Sequence, residues 1–200
     1  MTQSPPPSLI GRVRVARVAQ FVFGTRQLAG AVPHFGSLVK TTLSALGVTV
    51  YGLIYDIAVN SDDAGTTRLL SVAENVAAED IAWERDRLIP LDVSVLCVGT
   101  RDAAGALRQV LPPQPPIALD HIEVCESAEV QAFHARLDYF RLILGARDVP
   151  ADELLAASIR NALPENPGEA RSFTLRCARE LSRLLADDSA RLEQILRRLQ

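Results

Sequence analysis

The sequence is nearly devoid of lysine. Lys40 is the only one, so arginine supplies the other 20 of the 21 basic residues. Acidic residues number 24, which leaves a net charge of −3. A chain without a basic excess lacks the usual footprint of a dedicated nucleic-acid binder. Cysteine is scarce and scattered: Cys97, Cys125 and Cys177 are an odd, widely spaced set. That pattern is no disulfide framework and suits a reducing compartment. No apolar run approaches the 18 or so residues that a membrane span requires. Residues 1–8 lack the apolar core of a signal peptide. The expectation is a cytoplasmic protein with no membrane partner.

The motifs of common chemistries are missing too. There is no G-x-G-x-x-G for a dinucleotide and no G-x-S-x-G elbow for a serine nucleophile. Gly36-Ser37-Leu38-Val39-Lys40-Thr41-Thr42 faintly resembles a phosphate loop. Val39 stands where the glycine before the lysine belongs, and it fits a strand better than a tight turn. His121, Cys125 and His134 form the only close histidine–cysteine grouping. On a strand, residues 121 and 125 lie about 13 Å apart along the axis, too far to share one zinc ion. Cys97 and Cys177 fall in apolar stretches and read as small hydrophobes. Glu79-Asp80 and Asp187-Asp188 fit a solvated helix face and a helix cap. No enzymatic activity, cofactor or metal is therefore expected.

What the chain does have is apolar content, 48% against 22% charged, enough for a globular core rather than disorder. Its 200 residues suggest one or two domains. The patterning changes near residue 111. Before it, apolar residues come in short β-branched runs; after it, they recur at spacings of three and four. The expected class is α+β: a small antiparallel β-barrel at 9–111, a Pro-rich connector at 112–119 and a helical part at 120–200. Residues 1–8 are expected to be disordered.

Within the β part, residues 9–18 alternate, with Val13 and Val15 on one face, Arg12 and Arg14 on the other, and a bulge at Ala16-Arg17. Phe21-Val22-Phe23, Gly36 to Thr41, Val48 to Val59, Leu91 to Gly99 and Ala106 to Leu111 read as further strands. Gly52 suggests a bend or a close backbone approach. Residues 100–105 make a hairpin loop between the last two strands. Ser71 and Glu74 form a capping-box signal for one helix bearing Val72, Val76 and Trp83, which must end before Pro90. Pro112-Pro113-Gln114-Pro115-Pro116 favours an extended, semi-rigid spacer.

Beyond that run, Ile122 and Val124 alternate and suggest one last strand. Val130, Phe133, Leu137, Phe140 and Leu144 predict one helix, capped by Ser127 and ended at Gly145. A second helix runs from Pro150 to Leu163, with Leu154, Leu155 and Ile159 inward. A third starts at the Asn166 cap, with Pro167 in its first position, and reaches about Ala186. A last one is capped by Asp187, Asp188 or Ser189.

Arginines remain as candidate contacts. Arg12, Arg14 and Arg17 share the first strand, and residues 171–200 carry seven arginines against four acids. The last helix sets Leu192, Ile195, Leu196 and Leu199 on one side and Arg191, Arg197 and Arg198 elsewhere. So short a helix needs a packing surface, either the preceding helix through Leu181, Leu184 and Leu185 or another chain. Guanidinium groups suit protein interfaces because they pair with carboxylates bidentately. An arginine-based nucleic-acid accessory role is the alternative, although no aromatic stacking platforms are interleaved.

The β part also resembles the HAS barrel, the small domain shared by HerA-type ATPases and rotary ATP synthases. Ile10-Gly11-Arg12-Val13 is similar to its opening strand, and Phe21-Val22-Phe23 to its aromatic second element. Phe35-Gly36-Ser37-Leu38-Val39 resembles its glycine-led strand, and Val50-Tyr51-Gly52-Leu53-Ile54 the strand in which glycine relieves crowding. The proline run is similar to the connector that leaves the barrel. The likeness covers residues 9–116. It implies a barrel that packs beside its neighbours, as a collar does in ring ATPases. HerA-type barrels precede an ATPase module; here 84 residues follow Pro116, with no phosphate loop. ATP hydrolysis therefore does not carry over. The implied role is an assembly, adaptor or regulatory module that self-associates or docks on a ring-type ATPase.

Overall fold

The computed structural model describes residues 9–25, 34–59 and 91–199. The helix expected after Ser71 lies outside these residues.

Six antiparallel strands close into a barrel: β1 (Leu9–Ala16), β2 (Gln20–Thr25), β3 (Leu38–Leu43), β4 (Val48–Val59), β5 (Leu91–Arg101) and β7 (His121–Val124). Their order is β2-β1-β7-β3-β4-β5. β5 then pairs back onto β2, from Gln20↔Leu96 to Thr25↔Leu91, and closes the ring. A short β6 (Leu107–Arg108) pairs with β5 across the predicted hairpin loop. The sixth wall comes from beyond the proline run, since β7 fits between β1 and β3. The chain thus returns to the barrel before its C-terminal helices begin.

Period-two patterning fills the interior. Val13, Phe21, Phe23, Val39, Val50, Ile54, Val93, Val95 and Ile122 are all buried in one cluster. Two glycines make room for interior side chains. A Cβ on Gly52 would sit 2.3 Å from Val95 Cγ1, and one on Gly11 2.5 Å from Phe23 Cδ2. The close approach expected at Gly52 is therefore into the barrel interior. The alternation expected for residues 9–18 fails at Val15. The register shifts between Val13 and Val15, earlier than the bulge expected at Ala16-Arg17. Such a shift reverses the faces that follow, so Val15 is 64% exposed while Val13 is fully buried.

β4 and β5 carry apolar side chains on both faces, and β3 adds Leu38 to the outer one. Leu38, Tyr51, Leu53, Leu96 and Val98 point outward into a second core, shared with the helices. Burial on both faces explains why residues 95–98 read as one continuous apolar run.

Five helices follow: α1 (Ser127–His134), α2 (Phe140–Leu144), α3 (Ala151–Asn161), α4 (Pro167–Leu184) and α5 (Ser189–Arg197). α3 seats on the turn before β3. A Cβ on Gly36 (φ +81°) would lie 2.5 Å from Ala157 Cβ, and Asn161 Nδ2 donates to Phe35 O at 3.1 Å. Asn166 caps α4 and Asp188 caps α5, each through a side-chain oxygen that accepts a backbone N–H.

The single helix expected from Ser127 to Gly145 is two helices, and its cap is Glu126 rather than Ser127. The break has a specific partner. Buried Gln109 donates through Nε2 to Phe133 O (2.8 Å) and Arg136 O (3.0 Å). Its Oε1 accepts from Tyr139 N at 3.0 Å. One glutamine thereby satisfies three backbone groups that the interruption would leave orphaned.

Candidate interaction surfaces

The sequence-predicted arginines do not form one patch. Arg12 Nη1 donates to Leu119 O at 3.2 Å, and Arg14 pairs with Asp92. Arg17 points elsewhere, into a cleft shared with α2 and the loop after it. The last helix packs within its own chain. Ile195 is fully buried, and Leu192, Leu196 and Leu199 are partly buried against the helical core. Arg191 pairs with Asp152 at 2.8 Å and Arg198 with Glu153 at 2.5 Å, both carboxylates in the first turn of α3. Arg197 pairs with Glu193 of its own helix. The apolar stripe and its flanking arginines thus clamp α5 onto α3 and α4.

Lys40 anchors the densest charge cluster. Its ammonium donates to Glu129 at 2.7 Å, with Glu123 at 3.7 Å, and Arg101 reaches Glu129 at 4.0 Å. Glu129 also accepts the backbone N–H of Glu126 at 3.3 Å. Burial works against the charged ammonium, but the hydrogen bond and charge of Glu129 outweigh it and hold its pKa above the ordinary value. The lysine of the phosphate-loop-like stretch is therefore committed to joining β3 to α1. The Arg101 guanidinium lies over the Tyr51 ring at 5.4 Å. Burial nonetheless pushes the Tyr51 hydroxyl up to about 12.

The cysteines and histidines are separated. Burial pushes the thiols of Cys97, Cys125 and Cys177 up to about 12, so none is a ready thiolate near neutral pH. Among the described residues, no group of three or more His, Cys, Asp or Glu is placed to hold a metal ion. No described helix is long and apolar enough to cross a membrane.

His134 lies in an aromatic cluster with Phe133, Tyr139 and Phe173. Its Nδ1 is 2.7 Å from Val130 O, and its Nε2 is buried without a partner. Burial lowers its pKa to about 4. The unfolded histidine takes up its proton near pH 6.5, and the folded one only near 4. Stability is therefore lost as pH falls through that window, by about 2 kcal/mol from this group between pH 7 and pH 5. His134→Phe keeps an aromatic ring and removes the titration. Its urea midpoint should change less between those two pH values than that of the natural protein; an equal loss in both would contradict the assignment.

Two surfaces remain open. The first is the barrel wall at β1. Leu9 and Val15 are exposed there. Val13 exchanges backbone hydrogen bonds with Leu119 and Asp120, which brings the equally exposed Ile117 and Leu119 to the edge of β1. The second is a cleft of about 420 Å³ between the start of β2 and α2. Its apolar lining includes Ala19, Leu96, Leu111, Leu142 and Ala146, and its charged lining is Arg17, Arg141, Arg147 and Asp148. Arg141 and Leu142 also line an adjoining hollow of about 600 Å³ with Arg108 and Arg136. Sequence reasoning missed Arg108, Arg136, Arg141 and Arg147. They come from separate stretches, and only the fold assembles them.

Comparison with protein-family models and with curated protein sequences finds no match.

Proposed function

We propose that this protein is a non-enzymatic assembly or adaptor module, built on a HAS-like barrel that associates with a second copy through its β1 wall. The observation that carries this reading is the one-sided cover of the barrel. The helices bury Leu38, Tyr51, Leu53, Leu96 and Val98 on the outer face of β3, β4 and β5, whereas Val15, Ile117 and Leu119 are each more than 60% exposed at β1. Exposed apolar side chains gathered on one surface mark interaction sites. The resemblance to a barrel that packs side by side in rings supports the same wall. Docking on a ring-type ATPase through that wall is the related reading.

The test is oligomeric state. The full chain should self-associate in the micromolar range by light scattering, and Val15→Asp with Leu119→Asp should shift it toward monomer. Both positions are exposed, so cooperative unfolding should survive the change. A natural protein that stays monomeric at high micromolar concentration would defeat the proposal.

A further inference from the structure

The arginine cleft is a separate surface, and its use does not depend on how the barrel wall associates. Arg17, Arg141 and Arg147 are exposed, and none has an ion-pair partner among the described residues. This contrasts with Arg14, Arg136, Arg191, Arg197 and Arg198, each held by a carboxylate. Arg17, Arg141 and Arg147 thus line one concave surface together with apolar side chains, and Asp148 is the one acid among its described lining residues.

Three features narrow the ligand. The guanidinium groups call for an anion and favour planar, two-oxygen acceptors such as carboxylates. The aliphatic lining calls for aliphatic side chains between those charges. The continuation of the cleft past Arg141 and Leu142 into the second hollow calls for an extended chain rather than a compact small molecule. Among the described residues no Phe, Tyr or Trp lines either hollow, so the described lining offers no stacking platform of the kind single-stranded nucleic acids use. We infer that the cleft between β2 and α2 binds an extended acidic peptide segment of a partner protein, in which carboxylates alternate with aliphatic residues.

The test uses the full chain and a short fluorescein-labelled peptide of alternating glutamate and leucine, read by anisotropy. Matched probes are the lysine–leucine peptide, an oligothymidylate of similar length and inorganic phosphate as competitor. The acidic peptide should bind saturably and weaken with salt; the lysine peptide should not bind. Arg141→Glu should weaken binding by about tenfold or more, the scale of losing and then opposing a charge-assisted contact. Arg171→Glu, exposed on α4 and outside the cleft, should change it less than about twofold. Arg147→Glu probes the same cleft from a loop and stands in if Arg141→Glu disturbs α2. Absence of saturable peptide binding, or binding indifferent to both cleft variants, would overturn the inference. So would tighter binding of the oligothymidylate that Arg141→Glu abolishes, because that result assigns the cleft to nucleic acid.

Discussion

Gln109→Leu is expected to cost about 4 kcal/mol of stability, because an unpaired buried polar group costs about 1–3 kcal/mol and this change orphans up to three. The carbonyls of Phe133 and Arg136 and the amide of Tyr139 all bond to the Gln109 side chain. Leucine fills nearly the same space, so cavity formation contributes little and polar loss dominates. Gln109→Glu separates the two acceptors and the donor. It keeps an oxygen for Tyr139 N but sets a carboxylate against the carbonyl oxygens of Phe133 and Arg136. It should be at least as destabilising as leucine near neutral pH. Urea unfolding of both variants checks this. A loss below about 1 kcal/mol for leucine would mean that water or backbone adjustment replaces the glutamine.

The second large effect lies in the last helix. Ile195→Ala should remove about 3 kcal/mol, the usual scale for truncating a fully buried aliphatic side chain. Its side chain is completely buried in the cluster that also holds Leu154, Leu155, Leu181 and Leu185. The thermal midpoint should fall by about 10 °C at this chain length. The oligomeric state at a given concentration should not change, because Ile195 faces its own chain. The flanking ion pairs are weaker contributors. Glu153 is half-exposed beside Arg198, and exposed pairs are worth about 0–1 kcal/mol. Arg198→Ala should therefore cost far less than Ile195→Ala. The reverse order would show that charge rather than apolar packing holds α5 in place.

The barrel was legible because its strands carry two strong signals. β-branched alternation marks them, and Gly52 stands where a side chain would collide with Val95. The strand from His121 to Val124 was visible as alternation, but its place between β1 and β3 was not, because pairing across such a sequence distance leaves no local trace. Val15 was misassigned because a register shift reverses faces without altering composition. The break between α1 and α2 was hidden for a related reason. The apolar spacing continues through it, and the cause is a glutamine far upstream on another element. The last helix left two packing surfaces open, its own chain or a partner, because an apolar stripe flanked by arginines has the same pattern in both cases. Only the positions of Asp152 and Glu153 show where those arginines are spent. The unmatched arginines of the cleft were illegible, since residues 17, 141 and 147 carry no common motif.

Sedimentation velocity across a concentration series measures association through the β1 wall directly. The natural chain should show a sedimentation coefficient that rises with concentration through the micromolar range. The Val15→Asp, Leu119→Asp protein should stay at the monomer value and still unfold cooperatively. Identical monomer behaviour for both proteins up to high micromolar concentration would contradict the account.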